Sequence, residues 1–240
     1  MGEYFHALVF LLLTLVGSTD SKVLVARLEE RYRSAKTLQA SFLERYTDNG
    51  RLVRVESGTA YFKHPGKMRW EYEAPEKNLF LVDGKAVWFY VPADHSVTRV
   101  PVAESADWRT PLALLAGRMK VSRVCEQVVD AVDEKPENPE HAMLRCEVRG
   151  AGSKSPKEAS GESLSPKSSN SEMVLFEVDK NSGDLVRVLV RYPGGIGIEF
   201  SFANWRIDPQ VPDSFFHFSV PKGVAIVNGE LLLGDSGVKH

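Results

Sequence analysis

Apolar and polar residues alternate along much of the chain in short runs broken by turn residues. The densest stretch is residues 60–92, AYFKHPGKMRWEYEAPEKNLFLVDGKAVWFYVP. His64-Pro65-Gly66-Lys67 and Ala74-Pro75 separate its three runs, and Asp83-Gly84 closes a hairpin. Aromatic and β-branched runs bounded by Pro, Gly and Asp predict a meander of antiparallel strands. A period of two puts Met68, Trp70 and Tyr72 on one face and Lys67, Arg69 and Glu71 on the other. Ala86, Trp88 and Tyr90 alternate in the same way in the hairpin partner, and are expected on the same apolar face.

The rest of the chain supplies more strands and two helices. Asp20 or Ser21 caps a helix reaching about residue 34, with Leu24, Leu28, Tyr32 and Ala35 on its apolar side. Strands are expected over 38–46 and 52–62, joined at Asp48-Asn49-Gly50, and over 96–100. Thr110, Pro111 and Gly117 mark the ends of a short helix whose body, LALLA, has no polar face. It therefore needs cover, or covers something apolar itself. Strands follow over 121–129, 142–149, 173–178, 185–192 and 197–207, with a last strand and turn over 215–224. That makes roughly ten to twelve strands and two helices with no βαβ alternation, a mainly β fold whose large antiparallel sheet curls into an open or closed barrel. The helices over 21–34 and 110–117 are the natural plug and lid.

Composition narrows the function. With 43% hydrophobic and 26% charged residues and a net charge of −2, the chain reads as an ordinary globular protein without the basic face that nucleic acid requires. Residues 7–16, ALVFLLLTLV, are fewer than the roughly 20 apolar residues of a membrane span, and Gly17-Ser18 suits signal-peptidase cleavage. Residues 1–18 are expected to be a signal peptide, although Glu3 is acidic and no Lys or Arg precedes the apolar run; an uncleaved anchor is the other reading. Residues 19–240 form one domain, in which the Ser-, Gly-, Pro-, Lys- and Glu-rich run 150–172 is an inserted, disordered or extended loop. The two cysteines, Cys125 and Cys146, flank a polar segment turning near Lys135-Pro136. A hairpin there sets them opposite each other for a disulfide; two unrelated small core residues are the alternative.

No catalytic motif appears: there is no nucleophile elbow, HExxH, P-loop or GxGxxG before a helix. His64, His95, His141, His217 and His240 include no pair within four residues, so no local metal pair exists. Neither a metal, a cofactor nor an enzymatic activity is expected. What the sequence does offer is an apolar, aromatic sheet face that either packs as core or lines a cavity for a greasy ligand.

Several blocks are recognisable. They are Leu38-Gln39-Ala40-Ser41-Phe42, Lys63-His64-Pro65-Gly66-Lys67-Met68-Arg69-Trp70 and Leu81-Val82-Asp83-Gly84-Lys85-Ala86-Val87-Trp88-Phe89-Tyr90. With Thr110-Pro111-Leu112 and Phe218, Pro221, Gly223 and Val224, they resemble the LolA family of periplasmic outer-membrane lipoprotein carriers. The resemblance implies an incomplete, half-open barrel closed by a short helical lid and an N-terminal amphipathic helix. It further implies a periplasmic monomer whose partners are acylated lipoprotein cargo, an inner-membrane ABC-type extractor and an outer-membrane receptor. By position, Met68, Trp70, Tyr72, Trp88, Tyr90, Leu24 and Leu28 line the lipid-binding cavity, and Leu112, Leu114 and Leu115 form the lid. The family usually has an arginine where this chain has His64, and that arginine latches the lid. An imidazole offers fewer donors than a guanidinium, so the latch is weaker, depends on pH, or passes to Arg69 or Arg109; an ordinary loop residue is the alternative reading of His64. Carriage of another lipid or hydrophobic molecule, and a lipoprotein-sensing regulatory domain, are the other functions compatible with such a fold.

Overall fold

A computed structural model describes residues 20–102, 112, 115–117, 120–148 and 173–228. The expected signal peptide and the 150–172 insertion lie outside the described residues, as does most of the expected helix over 110–117.

Twelve strands form one sheet. In chain order they are β1 (Thr37–Asp48), β2 (Arg51–Lys63), β3 (Lys67–Ala74), β4 (Leu79–Val82), β5 (Ala86–Val91) and β6 (Ser96–Pro101). They continue as β7 (Cys125–Asp130), β8 (His141–Val148), β9 (Met173–Asp179), β10 (Leu185–Arg191), β11 (Ile196–Ile207) and β12 (Ala225–Asn228). Across the sheet the order is β12-β6-β5-β4-β3-β2-β1-β11-β10-β9-β8-β7, so the sheet curls but its edges, β12 and β7, do not meet. Neighbours are antiparallel except β12, which runs parallel to β6. The half-open, mainly β architecture expected above is therefore the one observed.

Local chemistry explains the long central hairpin. Asn49 and Gly50 both take positive φ, 49° and 75°, as a tight turn between right-twisted strands requires. Asp83 shapes the next hairpin: its Oδ1 accepts the backbone N–H groups of Lys85 and Ala86 at 2.7 and 2.8 Å. These hydrogen bonds hold its carboxyl below the usual carboxylate range despite partial burial.

Helix α1 (Ser21–Arg33) begins where Asp20 accepts the N–H of Lys22 at 2.9 Å, and it buries Leu24, Leu28 and Tyr32 against the sheet. The Tyr32 hydroxyl accepts the N–H of Leu185 at 2.8 Å, and Arg31 pairs with Asp184 at 2.5 Å. The helix is thereby tied to the turn between β9 and β10.

Three details differ from the sequence reading. Residues Val121–Val124 form a helical turn, α2, before β7 begins at Cys125. The run expected as a last strand instead starts in a 3-10 turn over Asp213–Phe216, and the strand itself is β12. Here three aromatic side chains go to separate places: Phe216 is buried, Phe215 meets Tyr61 and Phe218 meets Trp88. Finally, Cys125 and Cys146 do form a disulfide, with Cα atoms 5.2 Å apart, but they are not directly opposite. Cys125 faces Val148 and Cys146 faces Val128, and the ladder shifts between Cys125 and Gln127.

Gly58 sits where β2 shifts register against β3, between Phe42 on one side and Tyr72 on the other. A Cβ there would lie 1.9 Å from the carbonyl oxygen of Glu71, a backbone atom. We expect Gly58→Ala to force the two strands apart and lower stability by about 1–3 kcal/mol, read as a shift in the urea midpoint with unchanged slope.

Candidate functional site: the roofed inner face of the sheet

Alternation in β1, β2, β3 and β11 brings one set of side chains to the inside of the curl. Phe42 faces Gly58, Leu38 faces Phe62, Phe62 faces Met68, and Ala60 faces Trp70. Met68, Trp70 and Tyr72 fall on this inner face as predicted and are buried. Trp70 sits among aromatic rings, with centroids 4.8 Å from Phe42, 5.6 Å from Phe62, 5.3 Å from Phe200 and 6.0 Å from Phe202. Edge-on packing of this kind suits the quadrupoles of the rings. Its indole Nε1 is buried and has no hydrogen-bond partner.

Toward one end the inner face becomes polar. The Tyr72 hydroxyl donates to Glu44 Oε2 at 2.8 Å, and Arg54 pairs with Glu56 at 2.8 Å. Glu44 and Glu56 face each other across β1 and β2. Burial pushes the Glu56 carboxyl above the usual range, and Arg54 only partly offsets it.

Trp88 and Tyr90 are not part of this face. Trp70 pairs with Phe80 and Phe80 with Phe89, whereas Arg69 pairs with Leu81 and Leu81 with Trp88. The turn after β4 sets this parity, so Phe89 points inward and Trp88 and Tyr90 point outward. There they pack against Phe218, with centroids at 5.3 and 5.6 Å, and Trp88 Nε1 donates to Asp83 Oδ2 at 2.9 Å. The phenylalanines of β1, β2, β4, β5 and β11 do belong to the inner face. Alternation alone could have found those of β1 and β2.

Two elements roof the inner face. Leu24 and Leu28 of α1 are one part; Leu112, Leu115 and Ala116 of the segment between β6 and β7 are the other, and all join the same apolar cluster. Leu114 lies outside the described residues. The segment is held at the β2–β3 turn, where Gly66 N–H donates to the Ala116 carbonyl at 2.9 Å. Next to that bond the His64 imidazole lies against Gly117, whose φ is +73°. A Cβ on Gly117 would sit 2.2 Å from His64 Cε1, so only glycine permits this approach. Sequence position had pointed to His64; the glycine facing it was read only as a helix end.

Of the alternative latches, Arg109 lies outside the described residues, and Arg69 points to the outer face. Arg69 bonds Glu71 at 2.8 Å and the Phe215 carbonyl at 3.0 Å, and stacks 4.2 Å over the Phe215 ring. Period two along β3 keeps it away from the roof.

The His64 Nε2 is buried without a partner. Burial lowers the imidazole pKa, and the Asp208 carboxylate offsets this in part. A base whose folded pKa lies below its unfolded value destabilises the fold as pH falls through about 6.5, where the unfolded chain takes up the proton first. We expect the His64 Cε1–H resonance to titrate below 6.5, and the loss of melting temperature from pH 7.5 to 5.5 to be smaller in His64→Gln than in the wild type. An unshifted titration would contradict the burial of His64 against Gly117.

Among the described residues no group of three or more His, Cys, Asp or Glu side chains is placed to hold a metal ion. Nor is any helix there long and apolar enough to cross a membrane.

Fold and site thus describe a half-barrel with a roofed apolar interior. Known proteins of similar sequence and fold point the same way. Residues 33–140 match the family model described as "Outer membrane lipoprotein carrier protein LolA". An outer-membrane lipoprotein carrier protein of Nitrosospira multiformis is 36% identical over 118 residues, covering 48% of this chain and 56% of that one. Another, of Nitrosomonas europaea, is 27% identical over 212 residues, covering 85% and 88%. An uncharacterized conserved protein from Thermus thermophilus has the same fold, with a TM-score of 0.51, 13% identity and coverage of 87% of this chain and 98% of that one. The chain is thus similar to the LolA family of outer-membrane lipoprotein carriers, the family model matching it over residues 33–140.

Proposed function

We propose that the protein is a periplasmic carrier that holds the acyl chains of lipoproteins against the inner face of the sheet and moves them toward the outer membrane. An ABC-type extractor of the inner membrane hands over the cargo, and an outer-membrane receptor accepts it. The relatives' role as lipoprotein carriers supports this reading. The observation that carries it is the construction of the roof. The inner face is covered by α1 and by Leu112, Leu115 and Ala116, none of which belongs to the strand ladder. Lifting either part exposes apolar surface without breaking any strand pairing.

The energetics fit transfer. Each methylene buried is worth about 0.8 kcal/mol, so acyl chains leave a membrane only for another apolar host. The roof supplies its own leucines to that host when cargo is absent, each worth about 1.5–3 kcal/mol on burial. Cargo must displace them, which keeps net affinity low enough for release. Met68 and the aromatic rings around Trp70 form an adaptable lining for the chains.

The test is transfer from inner-membrane vesicles into solution. Wild-type protein is expected to form a soluble complex with acylated lipoprotein. Leu112→Glu should keep its β-sheet circular dichroism yet carry less than about a tenth of the cargo, since a carboxylate resists burial in the closed roof and in the loaded one. Normal loading by this variant would remove the inner face from the mechanism. Free lipid in place of lipoprotein on wild-type protein from its native periplasm would favour a more general lipid carrier.

A further inference from the structure

A buried indole N–H normally finds an acceptor, because stranding a donor away from water is costly. Of the three tryptophans among the described residues, two obey this rule. Trp88 donates to Asp83 Oδ2 and Trp205 to the Leu185 carbonyl, each at 2.9 Å. Trp70 does not: it is 1% exposed and its Nε1 has no partner. The rings of Phe42, Phe62, Phe200 and Phe202 that surround it are weak acceptors at best. The neighbouring polar group on its strand, the Tyr72 hydroxyl, is itself a donor to Glu44. A packing role alone would be filled as well by phenylalanine, which has no donor to strand.

We infer that the Trp70 N–H is an acceptor-seeking contact for cargo, and that it takes the ester carbonyl joining an acyl chain to its glycerol. This rests on the carrier reading above. A hydrocarbon chain brings no acceptor, but an ester places a carbonyl oxygen at the head of each chain. In the closed protein the donor lies in the same apolar cluster as Leu24, Leu28, Leu112 and Leu115, the residues cargo displaces. Occupancy by an acyl ester then satisfies a group that the empty protein leaves unsatisfied, and the site distinguishes acyl esters from alkyl chains of equal length.

Trp70→Phe keeps an aromatic ring and removes only the donor. Wild type and variant are titrated with a synthetic lipopeptide carrying two palmitoyl esters, and with its dialkyl-ether counterpart, which lacks both carbonyls. Wild type is expected to prefer the ester by about 3- to 10-fold, and Trp70→Phe to bind the two alike. The indole N–H cross-peak that disappears in Trp70→Phe should move downfield in wild type with the ester and not with the ether. Equal wild-type affinity for both ligands, a preference retained by the variant, or equal movement of the cross-peak with either ligand overturns the inference while leaving the carrier reading intact. Failure of wild type to bind either lipopeptide overturns both. If Trp70→Phe does not fold, the ester-against-ether comparison on wild type decides by itself.

Discussion

A curled sheet that does not close has an inside that needs covering, and here that inside is aromatic. Trp70 and the rings around it would meet water if left bare, and α1 and the segment after β6 prevent this. Helix α1 is pinned at the β9–β10 turn through Tyr32 and Arg31. The segment after β6 is pinned at the β2–β3 turn through Ala116, and farther along Val121 N–H donates to Glu29 of α1 at 2.9 Å. The Cys125–Cys146 disulfide then fixes the start of β7 to β8. The cover is thus tethered at its margins, while its centre is apolar contact without direction.

The outer face solves a different problem. Near the β12 edge, the chain after Asp213 runs across the back of β3 to β6, with Phe215 under Arg69 and Phe218 against Trp88 and Tyr90. Toward the β7 edge the same face carries charge. The Glu177 carboxylate is fully buried and accepts from Arg187 at 2.8 Å and from Glu137 N–H at 2.9 Å, and His141 lies 2.9 Å away. A buried carboxylate with this many partners fastens the β7–β8 connection to the sheet, and losing Arg187 would strand its charge.

The sequence made the inner face of β1 to β3 readable because period-two alternation continues there over several residues in each strand. It failed at β5, where Trp88, Phe89 and Tyr90 are consecutive and both parities look apolar. Only the pairing of β5 with β4, set by the intervening turn, decides which of them faces inward. Residues 215–224 read as a strand and turn for a related reason: aromatic residues favour strands, yet Phe215, Phe216 and Phe218 are anchored one by one to an existing surface. The disulfide was legible as a pairing, but its offset depends on the register of β7 against β8, which no spacing rule reveals. His64 was singled out by its position in a motif, whereas its partner Gly117 matters through a contact between distant parts of the chain.

The tether at Gly66 has a consequence for how the molecule breathes. Strands β1 to β3 are joined by long antiparallel ladders, whose amides bond to neighbouring strands and not to the roof. The Gly66 amide, by contrast, is protected by a carbonyl from the roof. Lifting the roof would release this amide and leave the ladder amides bonded. Sheet and cover are thereby held by different bonds, so a substitution at the Gly66–Ala116 tether can loosen or tighten the cover without touching a strand pairing.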